Sequence, residues 1–176
     1  MSRISKIDYD TASQVIRDAH DEEVRVRGRM TNMKRILLHS PVAHRIYAEW
    51  FTLREELRPA LDDRAVWLFC HAIARASRSA IPVGFFRRAM INAGLEPATV
   101  QPTEDEALLI AFGQAIVADS NAIPANLWDA LKQRYDETTL VNLVAFAGIM
   151  IATAVFNNAV EVDLDPELLP YLEPTS

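Results

Sequence analysis

The chain has a single cysteine, Cys70, among its 176 residues. A lone thiol excludes an intramolecular disulfide and points to a reducing compartment, so the cytoplasm is the expected location. It also leaves a sulfenic acid at Cys70 with no resolving partner in the same chain. Glycine is scarce, at 5 residues, and no phosphate-cradling loop, nucleophile elbow or dinucleotide fingerprint occurs. Metal-ligand spacing is missing as well. His20, His39, His44 and His71 stand far apart, with no His-x-x-x-His and no Glu-x-x-His pair, so neither a metal nor another cofactor is expected. The first residues, Met1 to Asp8, hold no apolar segment of the secretory type.

Excess positive charge is absent too. A formal net charge of -6 disfavours general binding to nucleic acid, which needs clustered cations to displace counterions. One basic cluster exists, Arg25, Arg27, Arg29, Lys34 and Arg35, but Glu22 and Glu23 sit beside it. It reads as a solvated, partly paired helix face. The acidic run Glu161, Asp163, Asp165 and Glu167 lacks the glycine and ligand spacing of a calcium loop and reads as a solvated tail.

Alternating strand patterns and hairpin turn pairs are also lacking, and apolar residues recur at helical spacing instead. Ser40 before Pro41 marks a helix start, followed by a stripe of Val42, Ile46, Trp50, Leu53 and Leu57 that Pro59 ends. Asp62 or Asp63 caps a helix burying Val66, Phe69, Cys70 and Ile73. Pro82 opens the next helix and Gly94 closes it as a left-handed terminal residue. Thr103 with Glu106 forms a capping box, Pro124 begins a short helix, and Asp136 caps a long apolar one. A more polar helix is expected over about Thr11 to Arg27, and Glu96 to Gln101 reads as a loop.

From Leu140 to Phe156 only Asn142 and Thr153 interrupt the apolar run, which approaches the roughly 20 residues needed to span a bilayer. Its small residues and the lack of flanking anchors favour a buried central helix over a membrane span. The expected architecture is therefore all-α, a bundle of roughly seven to eight helices with short connections.

Several segments together are similar to a known family. They are Asn32 to Pro41 with its His39-Ser40-Pro41 turn, Leu61 to Arg64, Ala93-Gly94-Leu95, Thr103 to Phe112, and Thr139 to Asp165. In order and spacing these resemble the carboxymuconolactone decarboxylase and alkylhydroperoxidase D-like family. The resemblance implies residues 32–176 as the family domain, preceded by an N-terminal helical extension over 1–31, and a homo-oligomer, whether dimer, trimer or hexamer. It also implies a redox site. Peroxidase members carry a Cys-x-x-Cys pair, a histidine four residues after it and a glutamate about twelve residues before it. Those positions here are Ser79, Pro82, Phe86 and, within a residue, Trp67. Serine and proline supply no thiolate, so disulfide-forming turnover is excluded at this site.

These replacements turn a reactive polar pocket into an apolar one, lined by Trp67, Phe85 and Phe86. Such a site suits an apolar or carboxylate-bearing small molecule, with Arg75, Arg78, Arg87 and Arg88 near enough in sequence to hold a carboxylate. The remaining reactive candidates are Cys70 and His71 on the preceding helix. Cys70 reads first as a small core residue and His71 as a satisfied interhelical one. The primary expectation is a non-peroxidatic small-molecule-binding or interaction protein, without nucleic acid or membrane as partner. One alternative is acid-base chemistry of decarboxylase, lactone or organic-acid lyase type through His71 and an arginine; another is a residual antioxidant role for Cys70.

Overall fold

Side-chain caps mark most of the helix starts. In the computed structural model, which describes residues 1–172, helix α1 spans Gln14–Arg27, α2 Asn32–Leu37, α3 Pro41–Leu57 and α4 Asp63–Ala76. Then follow α5 Ala80–Asn92, α6 Glu104–Ala118, α7 Ala125–Arg134, α8 Glu137–Val160 and a 3-10 helix at Pro166–Tyr171. Among the described residues there is no strand, so the chain is an all-α bundle.

The Ser40 hydroxyl accepts from the Ala43 N–H at 3.3 Å and Pro41 takes the first helical position, opening α3. Asp62 rather than Asp63 caps α4, accepting from Ala65 N at 2.8 Å. The capping box forms as expected, with Thr103 Oγ1 accepting from Glu106 N and a Glu106 carboxylate oxygen accepting from Thr103 N. Asp136 caps α8 through Thr139 N. Gly94 follows α5 at φ 79°, a left-handed conformation that a side chain would strain.

Helix α4 is the centre of the molecule. Val66, Leu68, Phe69, Cys70, Ala72 and Ile73 are all buried. Phe69 stacks on Phe112 of α6 and Phe146 of α8, with centroids 6.0 and 6.4 Å away. Each of these wholly buried rings contributes about 1.5–3 kcal/mol of transfer free energy. Gly113 lets α6 lie close to α4, because a Cβ there would stand 3.0 Å from Ile73 Cγ1.

Three sequence expectations need correction. In α3, Val42 and Ile46 are 55% and 58% exposed, and the buried residues are His44 and Leu57. The apolar stripe is real only from Trp50 onward, where α3 meets the core. Helix α8 is not buried all round. Leu143, Phe146, Ala147, Met150 and Ala154 face the core, while Val141 and Val155 are 66% and 60% exposed. It is long and apolar enough to cross a membrane, and about a third of that span is buried within the chain.

The acidic run is not simply a solvated tail either. Glu161 pairs with Arg3, Asp163 with the N-terminal ammonium at 3.3 Å, and Glu167 with Arg29 at 2.6 Å. Asp165 is buried and accepts from Asn32 N at 2.8 Å. These contacts fasten the segment after α8 to the N-terminal region, and the backbone bond Arg3 N to Val160 O at 2.8 Å adds to them.

Candidate functional site

Helix α1 docks in an unusual way. Its valines Val15, Val24 and Val26 are exposed, and its one buried residue is Glu23, 1% exposed. A buried carboxylate is costly unless cations and donors surround it. They do here. Glu23 accepts from Arg27 Nη1 at 2.7 Å, one helical turn on, and from the ammonium of Lys34 on α2. His44 Nε2 of α3 lies 3.4 Å from the Glu23 Oε2 atom.

This cluster forms one end of a cavity of about 380 Å³ bounded by α1, α2, α3, α5, α8 and the 3-10 helix. Tyr47, Trp50, Phe51, Phe85, Phe86 and Met150 supply its apolar walls. The Trp50 indole stacks on Phe146 at 5.1 Å, which holds it rigidly against the core. The Arg27 guanidinium lies 4.3 Å from the Phe51 ring centroid, and Arg88 lies 5.3 Å from that of Phe85. An aromatic face holds a cation electrostatically, and for Arg27 it does so in addition to the Glu23 carboxylate.

Burial lowers the pKa of Lys34, and the Glu23 charge opposes that shift. Burial also lowers the pKa of His44, again against Glu23, so its imidazole is neutral near pH 7. Asp165, another lining residue, has its carboxyl raised by burial. Burial lowers the pKa of Arg88, and the positive charge of Arg29 adds to the effect.

The residues singled out from sequence divide around this geometry. Phe85 and Phe86 of α5 line the cavity, together with Ile81 and Pro82. Trp67, Cys70, His71, Arg75 and Arg78 are not among its lining residues. Trp67 packs half-buried against the core and His71 is buried on α4. Cys70 is fully buried, and desolvation pushes its thiol well above its ordinary pKa. The Arg54 charge and the Trp50 indole oppose that shift without reversing it. Arg75 and Arg78 are exposed. Ser79 is buried with its hydroxyl unpaired among the described residues.

Reading the basic cluster as a solvated face was therefore wrong for Arg27, Arg29 and Lys34, all of which line the cavity. The signal in the sequence was the pair Glu23 and Arg27, four residues apart, with Lys34 beyond the turn at Gly28. His44 gave no comparable signal, because its role depends on how α1 crosses α3. In comparisons with known proteins, no family model matches this chain and no curated relative does.

Proposed function

We propose that this chain is a non-redox, small-molecule-binding member of the carboxymuconolactone decarboxylase and alkylhydroperoxidase D-like family, and that its ligand occupies the cavity beside Glu23. The observation that carries this reading is a cavity of about 380 Å³ with aromatic walls and a few charged groups, whose α5 wall includes Pro82 and Phe86, two of the four positions at which the family resemblance places its site. Concave, mostly apolar spaces of roughly 300–1,000 Å³ with a few convergent polar groups are the usual form of ligand sites. The state of Cys70 supports the non-redox part. A thiol that is fully buried and has a raised pKa supplies little thiolate.

The test has two arms. Hydroperoxide consumption with a dithiol reductant should stay at the background rate, and a robust rate abolished in Cys70→Ser would refute the reading. The neutral dye N-phenyl-1-naphthylamine should bind with a blue shift, and Ala48→Phe, which fills the cavity from its α3 wall, should abolish that shift.

A second reading rests on His44. A neutral imidazole 3.4 Å from a buried carboxylate, facing an apolar cavity, is equipped to move a proton on a small organic acid. It would take the place that sequence reasoning gave to His71. We further propose a homo-oligomer located in the cytoplasm.

A further inference from the structure

We infer that the cavity takes an amphipathic monoanion, a carboxylate on a medium-chain or single-ring apolar body, with its head group at Arg88. This rests on the cavity being a ligand site, and adds the head group and the residue that holds it.

The charges around the cavity do not balance. Arg27, Arg29, Lys34 and Arg88 line it, against the carboxylates of Glu23 and Asp165. Glu167 adds a third carboxylate by pairing with Arg29 at 2.6 Å. Lys34 and Arg27 share the single carboxylate of Glu23. Asp165 is occupied by the backbone N–H of Asn32. His44 contributes no charge while neutral. Among the described residues four cations thus meet three carboxylates, and one monoanionic head group would complete the set.

The unmatched cation is Arg88. Its neighbour Arg87 donates to the Tyr171 carbonyl at 2.8 Å, whereas Arg88 makes no ion pair among the described residues and rests on the Phe85 ring. Burial, first, and the like charge of Arg29 disfavour its cationic form; Glu167, Tyr171 and Asp165 act on it in the other direction but none pairs with it, and an anion in direct contact would offset the cost of its burial. The guanidinium fork matches a carboxylate in two parallel hydrogen bonds. Phe85 and Phe86 precede Arg88 on α5 and line the same cavity as Trp50, Phe51 and Met150, which offer an apolar body its walls. The local positive sign also opposes the net charge of -6 on the chain, which favours an anion at this cavity over the rest of the surface.

Calorimetric titration of the full chain near neutral pH with octanoate, octanol and octylamine, which share one apolar body, decides the matter. Octanoate should bind about tenfold more tightly than octanol, the scale of one charged hydrogen-bonded contact, and octylamine most weakly. Arg88→Gln should bring octanoate down to the level of octanol while leaving octanol unchanged, and Arg88→Lys should keep part of the preference. Octanol binding as tightly as octanoate would overturn the head-group assignment and leave the cavity reading standing; no binding of any of the three would overturn both. A preference that survives Arg88→Gln would remove Arg88 from the site. Should that variant not fold, salt provides the reading on the unaltered chain. Octanoate affinity should fall with added salt while octanol affinity does not, and equal responses would overturn the proposal.

Discussion

Glu23 shows how one side chain can set the character of a site. Its carboxylate is buried because Lys34 and Arg27 are there to meet it, and they stay partly buried because it is there. Glu23→Gln keeps the volume and removes the charge, leaving those two cations uncompensated. A loss of about 3 kcal/mol is expected, seen as a lower urea midpoint at unchanged slope. His44 adds a pH dependence of definite sign. Burial holds its pKa below the ordinary 6.5, so between the folded pKa and 6.5 the unfolded chain binds more protons than the folded one. Stability therefore rises with pH through that window, and acidification below 6.5 costs stability. His44→Gln should flatten that part of a pH series of thermal melts, and an unchanged slope would exclude His44 as its source. The spacing of Glu23 and Arg27 was legible in the sequence, but their burial and the part of His44 were not. Glu23 stood in a run of charges, and only the crossing of α1 over α2 and α3 distinguishes it from its exposed neighbour Glu22. The expectation that Trp67, Phe85 and Phe86 line one pocket came from the family resemblance; the cavity includes Phe85 and Phe86 and leaves out Trp67.

The elements themselves were far easier to read, because capping is local chemistry. Ser40, Asp62, Thr103 and Asp136 each accept a hydrogen bond from an N–H three residues on, and that pattern needs no tertiary information. Thr103→Ala should cost about 1 kcal/mol in chemical denaturation, since it also breaks the box that Glu106 closes. What a helix buries is a different matter. Val42 and Ile46 continue the apolar stripe of α3 in the sequence, yet α3 meets the core only from Trp50 onward. Gly113 illustrates the same dependence on neighbours. Replacing it with alanine gains about 1 kcal/mol in helix propensity, but the new methyl meets Ile73 Cγ1 at 3.0 Å and the Phe69 ring at 3.2 Å. Both neighbours are fully buried and would have to shift by a few tenths of an ångström within a packed core. Overpacking costs about 1–3 kcal/mol, so Gly113→Ala should lower the melting temperature despite the better propensity. A melt at or above that of the unaltered chain would show that α4 and α6 can separate slightly.

At the scale of the molecule, α8 leaves an apolar side exposed. Val141, Val144 and Val155 face outward from this helix, and Val42 and Ile46 do so from α3, which packs on it. Clustered exposed apolar surface of this kind marks association sites or lipid contact. Two features separate those outcomes. The opposite side of α8 carries Leu143, Phe146 and Met150 into the core of the same chain, and its outer side alternates valine with Ala145 and Gly148, which admit close approach of another helix. A second copy of the chain is therefore the expected cover. Light scattering should find a multi-subunit species in buffer without detergent. Val141→Lys with Val155→Lys should reduce it to smaller species with unchanged helical circular dichroism, because neither side chain contributes to the core. A monomer in the unaltered protein, or a requirement for detergent to stay in solution, would count against assembly through this face. The cavity lies on the inner side of α8, where Met150, Thr153 and Asn157 line it. Dissociated lysine variants should thus still bind the neutral dye, and loss of dye binding on dissociation would mean that the assembly, rather than one chain, completes the site.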